Sequence, residues 1–321
     1  MHERPAGIED AELAGVLSRH WQLDLAGLRY LPVGFGGFHW QAASPAGQRW
    51  FVTATEIPAE DGGGALADLA GAMETACDLA AAGLDFVVAP VRDRTGQVLA
   101  RLGTRYAVTV FPYHDGVAGR FGDSQTDSVR SAVVSLLARL HIGTAPAAPV
   151  RPLQPLGRDA VDRALQDRAR HWTGGPFAEP ARTLLAEHAG GVAAALDRFD
   201  ALVASVSAEN RPPVVTHGEP HPGNLLRSGR RLLLIDWDTA GLAPPERDLW
   251  WVVAGAGPAA DRYARLTGHT VSADALALYR LRWILDDLCL ALAEFRAPHA
   301  RTADTEVSWA GLRSCLVAIT K

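Results

Sequence analysis

A chain of 321 residues is long enough for one large domain or two smaller ones. Hydrophobic residues make up 48% of it and charged residues 21%, the balance of a globular protein with a sizeable core, and a net charge of −5 lacks the basic surplus of a nucleic-acid binder. Three widely spaced cysteines, Cys77, Cys289 and Cys315, form no C-x-x-C pair, which disfavours a disulfide framework and a cysteine zinc site. The charged residues Glu3, Arg4, Glu9, Asp10 and Glu12 break up any signal-peptide apolar core, and no apolar run approaches the ~20 residues needed to span a bilayer. The expected location is therefore cytoplasmic, with no membrane and no nucleic-acid partner.

In chain order, residues 8–21 read as a helix, with Ile8, Leu13, Val16, Leu17 and Trp21 near helical spacing. Three strands follow: Leu28 to Val33, Phe38 to Ala43 and Arg49 to Glu56. Between the first two lies Gly34-Phe35-Gly36-Gly37, and between the others a Pro45-Ala46-Gly47 turn. Residues 65–82 are rich in alanine and leucine and predict a helix. Phe86 to Val91 and Tyr106 to Pro112 predict two more strands around an Asp93–Gly96 turn. From residue 124 helices dominate, at 124–141, 158–172, 179–208, 259–266, 272–296 and 305–319. Residues 213–239 interrupt them with short strands at Pro213 to Thr216, Leu225-Leu226 and Leu232 to Ile235. The expected architecture is α+β and bilobal. A small mixed-sheet N-terminal lobe spans residues 1–113, a linker runs from His114 to Gly119, and a mainly helical C-terminal lobe occupies 114–321.

The chemistry concentrates in Thr216-His217-Gly218-Glu219-Pro220-His221-Pro222-Gly223-Asn224 and, twelve residues on, Asp236 in Leu234-Ile235-Asp236-Trp237-Asp238. Glu219 and Asn224 have the spacing of the acid and the amide in a kinase catalytic loop. Glu219 is the candidate to orient an acceptor hydroxyl and take its proton. Asn224 offers an amide oxygen, and Asp236 a carboxylate at the end of an apolar strand; both are hard donors suited to Mg²⁺. His217 fits a bracing role in the loop. Asp238 reads either as support for a second metal position or as a solvated turn residue. Glu246 and Asp248 read as acids at a helix start that help to hold the loop. Gly34, Gly36 and Gly37 suit a turn closing over phosphates, and the backbone near Phe111 and Tyr113 suits an adenine edge.

These paired motifs resemble the aminoglycoside phosphotransferase-type small-molecule kinases, relatives of the protein kinases. His217-Gly218-Glu219 with Asn224, and Ile235-Asp236-Trp237, are similar to that family's H-G-D…N and I-D-W motifs, and Leu137 to His141 is similar to its helix ahead of the substrate region. The resemblance runs from about Leu31 to Trp251. It implies a protein-kinase-like fold, ATP (or GTP) with Mg²⁺, and transfer to a hydroxyl of a small molecule. Members of the family phosphorylate antibiotics, choline, sugars and peptides. Two departures stand out. Glu219 replaces the family's Asp, and Thr53 stands where a phosphate-pairing Lys is expected. The first lobe has no lysine at all, which leaves Glu74 without the partner the family would give it. Arg49, Arg29, Arg101 and His39 are the candidates to neutralise the phosphates instead.

On the helix at 272–296, Trp283, Asp287 and Glu294 share a face that could receive a polyamine or aminosugar. The alternative is a solvated face in which Asp286 pairs with Arg282. Trp250 and Trp251 are expected in the core. The leading function is phosphorylation of a small cationic natural product, most of all an aminoglycoside-type antibiotic. The alternatives are a kinase of a metabolite such as choline or a sugar, and a catalytically weak nucleotide-binding protein.

Overall fold

Alternation of apolar residues sets the largest element. In the computed structural model, which describes residues 1, 3–5, 7–34, 36–58, 63–123, 125–155 and 157–319, strands β1 (Gly27–Leu31), β2 (Gly37–Ala43) and β3 (Arg49–Glu56) form two successive hairpins. With β4 (Ala100–Leu102) and β5 (Tyr106–Pro112) they make a five-stranded sheet in the order β1-β2-β3-β5-β4. Every pairing in it is antiparallel, so the sheet is not mixed as expected. Phe35 lies outside the described residues.

One face of this sheet buries Trp40, Ala42, Val52, Ala54, Val108 and Val110. Helix α1 (Asp10–Trp21) lays Leu13, Val16, Leu17 and Trp21 on that face. The Trp40 indole donates to Asp10 at 3.1 Å, and that of Trp21 to the Val91 carbonyl at 2.8 Å, so both polar tips are satisfied. The opposite face carries Phe111, which clusters with Ile57, with Leu69 and Met73 of α2 (Gly64–Ala81), and with Leu233 further along the chain.

The apolar run at 86–91 is not a strand of this sheet. Phe86 and Val88 exchange backbone hydrogen bonds with Leu234 at 2.7 and 3.2 Å, and Val91 donates to Val110 at 2.7 Å. The run is apolar because it packs between two sheets, and an isolated bridge at Val87 to one and a single bond to the other do not build a ladder. Strand β4, which the sequence did not show, is the edge strand next to β5.

Two further sheets are small. Strand β7 (Val214–Thr216) pairs with β10 (Gly241–Ala243), and β6 (Val117–Ala118), β8 (Leu225–Ser228) and β9 (Arg231–Leu234) form the other in that order. Helices α3 (Asp127–His141), α6 (Glu246–Leu249) and α7 (Pro258–Thr267) accompany them. By its contacts the chain divides into two compact units. The first comprises Met1–Arg151, Pro213–Val252 and Gly257–His269. It holds all three sheets, and the expected linker His114 to Gly119 lies within it. Pairing of β6 with β8 ties that stretch to the β8–β9 hairpin. The second unit comprises Pro152–Pro212, Val253–Ala256 and Thr270–Lys321. Its helices are α4 (Arg158–Gln166), α5 (Ala178–Glu209), α8 (Ala273–Arg296) and α9 (Ala303–Ile319). Helix α4 ends sooner than the expected residue 172. No helix among the described residues is long and apolar enough to cross a membrane.

Candidate active site

Hairpin register explains how residues twelve apart in sequence become neighbours. Strands β8 and β9 pair Leu225 with Leu234, so the next rung outward joins Asn224 to Ile235, whose amide donates to the Asn224 carbonyl at 3.0 Å. Asn224 thus opens one strand beside Asp236, which follows the other. Asp236 has φ +69°, a left-handed conformation that Asp tolerates at some cost.

The loop before the hairpin is held by buried polar groups. The two oxygens of Asp248, fully buried on α6, accept from the backbone amides of His217 at 2.8 Å and Gly218 at 2.6 Å. His141, at the end of α3, places Nε2 at 3.1 Å from the same carboxylate and Nδ1 at 2.8 Å from the Tyr263 hydroxyl. Burial, the largest single influence, would favour a protonated Asp248, but the His141 hydrogen bond together with the charges of His141, His217 and Arg247 outweighs it and holds that carboxyl below its usual range. Gly218 is required by two constraints. Its φ is +102°, and a Cβ there would fall 2.3 Å from the Arg247 guanidinium. That guanidinium in turn holds Thr216 at 2.8 Å and the Thr239 carbonyl at 2.9 Å.

His217 is completely buried, and its tautomer follows from its neighbours. Nδ1 accepts from the Glu219 amide at 3.2 Å, so Nε2 carries the proton and donates to the Ile235 carbonyl at 2.9 Å. Burial lowers its pKa to about 4. His217 is therefore a neutral strut between the loop and the hairpin, with neither nitrogen left for proton transfer.

Three functional groups converge on this scaffold. The Asn224 amide nitrogen donates to the Glu219 carbonyl at 3.0 Å, which leaves its oxygen as the atom that could ligate a cation. Asp236 is exposed, yet neighbouring protein strips part of the hydration from its carboxyl. That desolvation, followed by the carboxylates of Asp238 and Glu219, raises its pKa well above the ordinary value. Mutually repelling carboxylates beside an amide oxygen fit a hard divalent cation, which would relieve their repulsion.

The sheet face opposite α1 supplies the rest. Phe51, Leu226 and Ile235 lie half-buried at the edge of the Phe111 cluster, and Leu226 and Ile235 come from the β8–β9 hairpin and the residue after it. Phe111 itself is a core side chain. The Tyr113 amide is engaged with the Arg49 carbonyl at 3.3 Å, and the Tyr113 ring lies under the Arg49 guanidinium. Ladder alternation turns the Pro112 carbonyl and the His114 amide to the other edge. Gly34 and Gly36 are exposed with positive φ, and Gly37 is buried at the start of β2.

Some site residues escaped the sequence reading. Trp250 and Trp251 are half-buried rather than core. They stack at 4.0 Å, and Trp251 meets His221 and the exposed Phe121 edge-on, each at 5.4 Å. His221 lies 3.9 Å from the Glu219 carboxylate, so this aromatic surface borders the candidate base. Its members lie on three separate segments, and no local pattern joins them. Trp283, Asp287 and Glu294 lie on α8 in the second unit. Asp286 does pair with Arg282, at 3.2 Å, as its spacing suggested. Asp287 is exposed, and local desolvation with the neighbouring Asp286 raises its pKa to about 6.

An antiparallel sheet and a hairpin presenting an acid, an amide and a second acid define a protein-kinase-like phosphotransferase. The chain belongs to the phosphotransferase enzyme family (APH), whose sequence pattern matches residues 40–284. It is a small-molecule kinase acting on an alcohol group. A relative, Protein StrN of Streptomyces griseus, is 28% identical over 310 residues, covering 89% of this chain and 85% of that protein. Among solved structures, spectinomycin phosphotransferase APH(9)-Ia in complex with ADP and spectinomycin superposes with a TM-score of 0.72 at 18% identity, over 98% of each chain. Choline kinase LicA from Streptococcus pneumoniae superposes with a TM-score of 0.52 at 14% identity, over 96% of this chain and 99% of that one.

Proposed function

We propose that this cytoplasmic enzyme transfers the γ-phosphoryl group of ATP to a hydroxyl of a small cationic natural product, an aminoglycoside-type antibiotic above other classes, and so confers resistance by modification. The crowding of Asp236 by Glu219 and Asp238 beside the Asn224 amide carries this reading. Asn224 and Asp236 would hold Mg²⁺, which when bound screens the charge of the β- and γ-phosphates. The apolar side chains of Phe51, Leu226 and Ile235 would pack against the base, with the Pro112 carbonyl and His114 amide at its polar edge. Gly34, Gly36 and Gly37 would lie over the phosphates. Glu219 accepts the acceptor's hydroxyl proton as that oxygen bonds to the γ-phosphorus and the bond to ADP breaks. The aromatic surface of His221, Phe121 and Trp251 would flank the acceptor.

The likeness to a choline kinase supports a second acceptor class, a small metabolite alcohol. ADP release from MgATP is measured with an acceptor panel spanning aminocyclitols, aminoglycosides, macrolides, choline and sugars. Turnover is expected with a cationic antibiotic and is abolished in Asp236→Ala. Glu219→Gln is expected to lower kcat about 10²-fold or more with little change in the KM for ATP. Nucleotide binding without turnover on any acceptor would refute the enzyme reading, and turnover on choline alone would select the second class.

A further inference from the structure

The missing lysine leaves the phosphates without their usual counter-charge, and the sequence offered four substitutes. The only lysine of the chain is Lys321. Three candidates are engaged elsewhere. Arg49 binds Asp115 through two bonds of 3.1 and 2.5 Å. Arg29 donates to the Gln41 side chain at 2.6 Å, and Arg101 to the Thr104 carbonyl at 3.0 Å. Glu74, the expected partner of the lysine, is instead clamped by Arg92 at 2.8 and 2.5 Å. Arg92 also holds the Gly96 carbonyl at 2.9 Å, which fixes that ion pair to the turn after residue 92.

His39 is placed differently. Strand register sets it directly across from Thr53, the lysine position, and its Nδ1 lies 3.1 Å from the Thr53 hydroxyl. Its other nitrogen lies against the glycine turn. A Cβ on Gly34 would meet Nε2 at 2.9 Å, and one on Gly37 would meet Cε1 at 3.3 Å and the Thr53 methyl at 3.2 Å. The imidazole also leans on Phe51, with ring centroids 5.0 Å apart and planes inclined by 31°. It therefore lies on the same sheet face as Phe51, at the end next to the glycines.

We propose that His39 takes the place of the lysine as a nucleotide-phosphate ligand, donating from Nε2 to a phosphate oxygen beneath the glycine turn while Thr53 fixes Nδ1. This rests on the nucleotide site proposed above. A Thr53 hydroxyl that donates to Nδ1 puts the proton on Nε2, the nitrogen facing the turn. Burial brings the His39 pKa down to about 4, so the imidazole enters binding as a neutral donor. A neutral donor to an anionic oxygen still gives a charge-assisted hydrogen bond.

The test is binding of MgATP and of adenosine to the full chain by calorimetry. His39→Phe keeps a ring against Phe51 and removes the donor, His39→Gln keeps an N–H at similar reach, and Thr53→Val keeps shape without the hydroxyl. His39→Phe is expected to weaken MgATP about tenfold or more and to leave adenosine unchanged. His39→Gln is expected to stay within about threefold of the parent chain, and Thr53→Val to fall between the two. Unchanged MgATP affinity in His39→Phe overturns the proposal. Equal loss of MgATP and adenosine overturns it too, since that outcome describes packing alone. A parent chain that binds neither ligand removes the nucleotide site itself, and the two failures are thereby told apart.

Discussion

At the residue scale, His217 couples one proton to the integrity of the loop at residues 216–224. Protonation would set a new N–H against the Glu219 amide, two donors facing each other in a buried site. The sign follows from the depressed pKa of about 4 against an unfolded value near 6.5. Between these values the unfolded chain binds the proton and the folded chain does not. The contribution is thus intact above pH ~6.5 and is lost as pH falls toward 4, to a total of roughly 3 kcal/mol. His221 and His39, both lowered to about 4 by burial, act in the same direction. Urea midpoints measured between pH 7 and 4.5 should therefore fall, and less steeply in His217→Asn, which keeps an acceptor and cannot titrate. An equal slope in the variant would rule out His217 as the source.

At the element scale, a helix of four residues does more for the site than its length suggests. Helix α6 presents Asp248 to two consecutive loop amides and to His141. Asp248→Asn leaves one oxygen where two accepted and turns an N–H₂ toward a backbone donor. We expect a loss of about 3 kcal/mol in stability and a larger fall in kcat than in nucleotide affinity, because Glu219 is displaced with the loop. Thermal unfolding with steady-state kinetics checks this, and a variant with parental kcat would free the loop from that clamp.

The acidic role of Asp248 was legible in the sequence as a loop-holding acid near a helix start. Its partner was not, because His141 is 107 residues away and looks like the end of an ordinary amphipathic helix. The Asn224–Asp236 pair was legible because a short hairpin carries its register in its own spacing. Strand β3 was legible from alternation between a Pro-Gly turn and its end at Glu56. Strands β6 and β10, with two and three residues, are too short for any period to show. The apolar run 86–91 misled because burial between sheets and membership of a sheet leave the same composition. Trp250 and Trp251 misled for a related reason: aromatic residues fill cores and line ligand surfaces alike.

At the scale of the whole molecule, the candidate residues divide between the two compact units. Glu219, Asn224, Asp236, the glycine turn and His39 all belong to the first. The acidic face of α8 belongs to the second. If that face selects cationic acceptors, its loss should spare everything that concerns the nucleotide. Asp287→Asn with Glu294→Gln is therefore expected to raise the KM of a cationic acceptor about tenfold, with the KM for ATP and the slow acceptor-independent hydrolysis of ATP unchanged. Asp287 adds a pH signature. Its pKa of about 6 means that the face gains negative charge as pH rises through 6, so the acceptor KM should fall over that interval in the parent chain and not in the double variant. Higher ionic strength should raise the acceptor KM in the parent and barely alter it in the variant. A double variant whose acceptor KM matches the parent at every pH would exclude the α8 face from recognition and leave the aromatic surface beside Glu219 to select the acceptor.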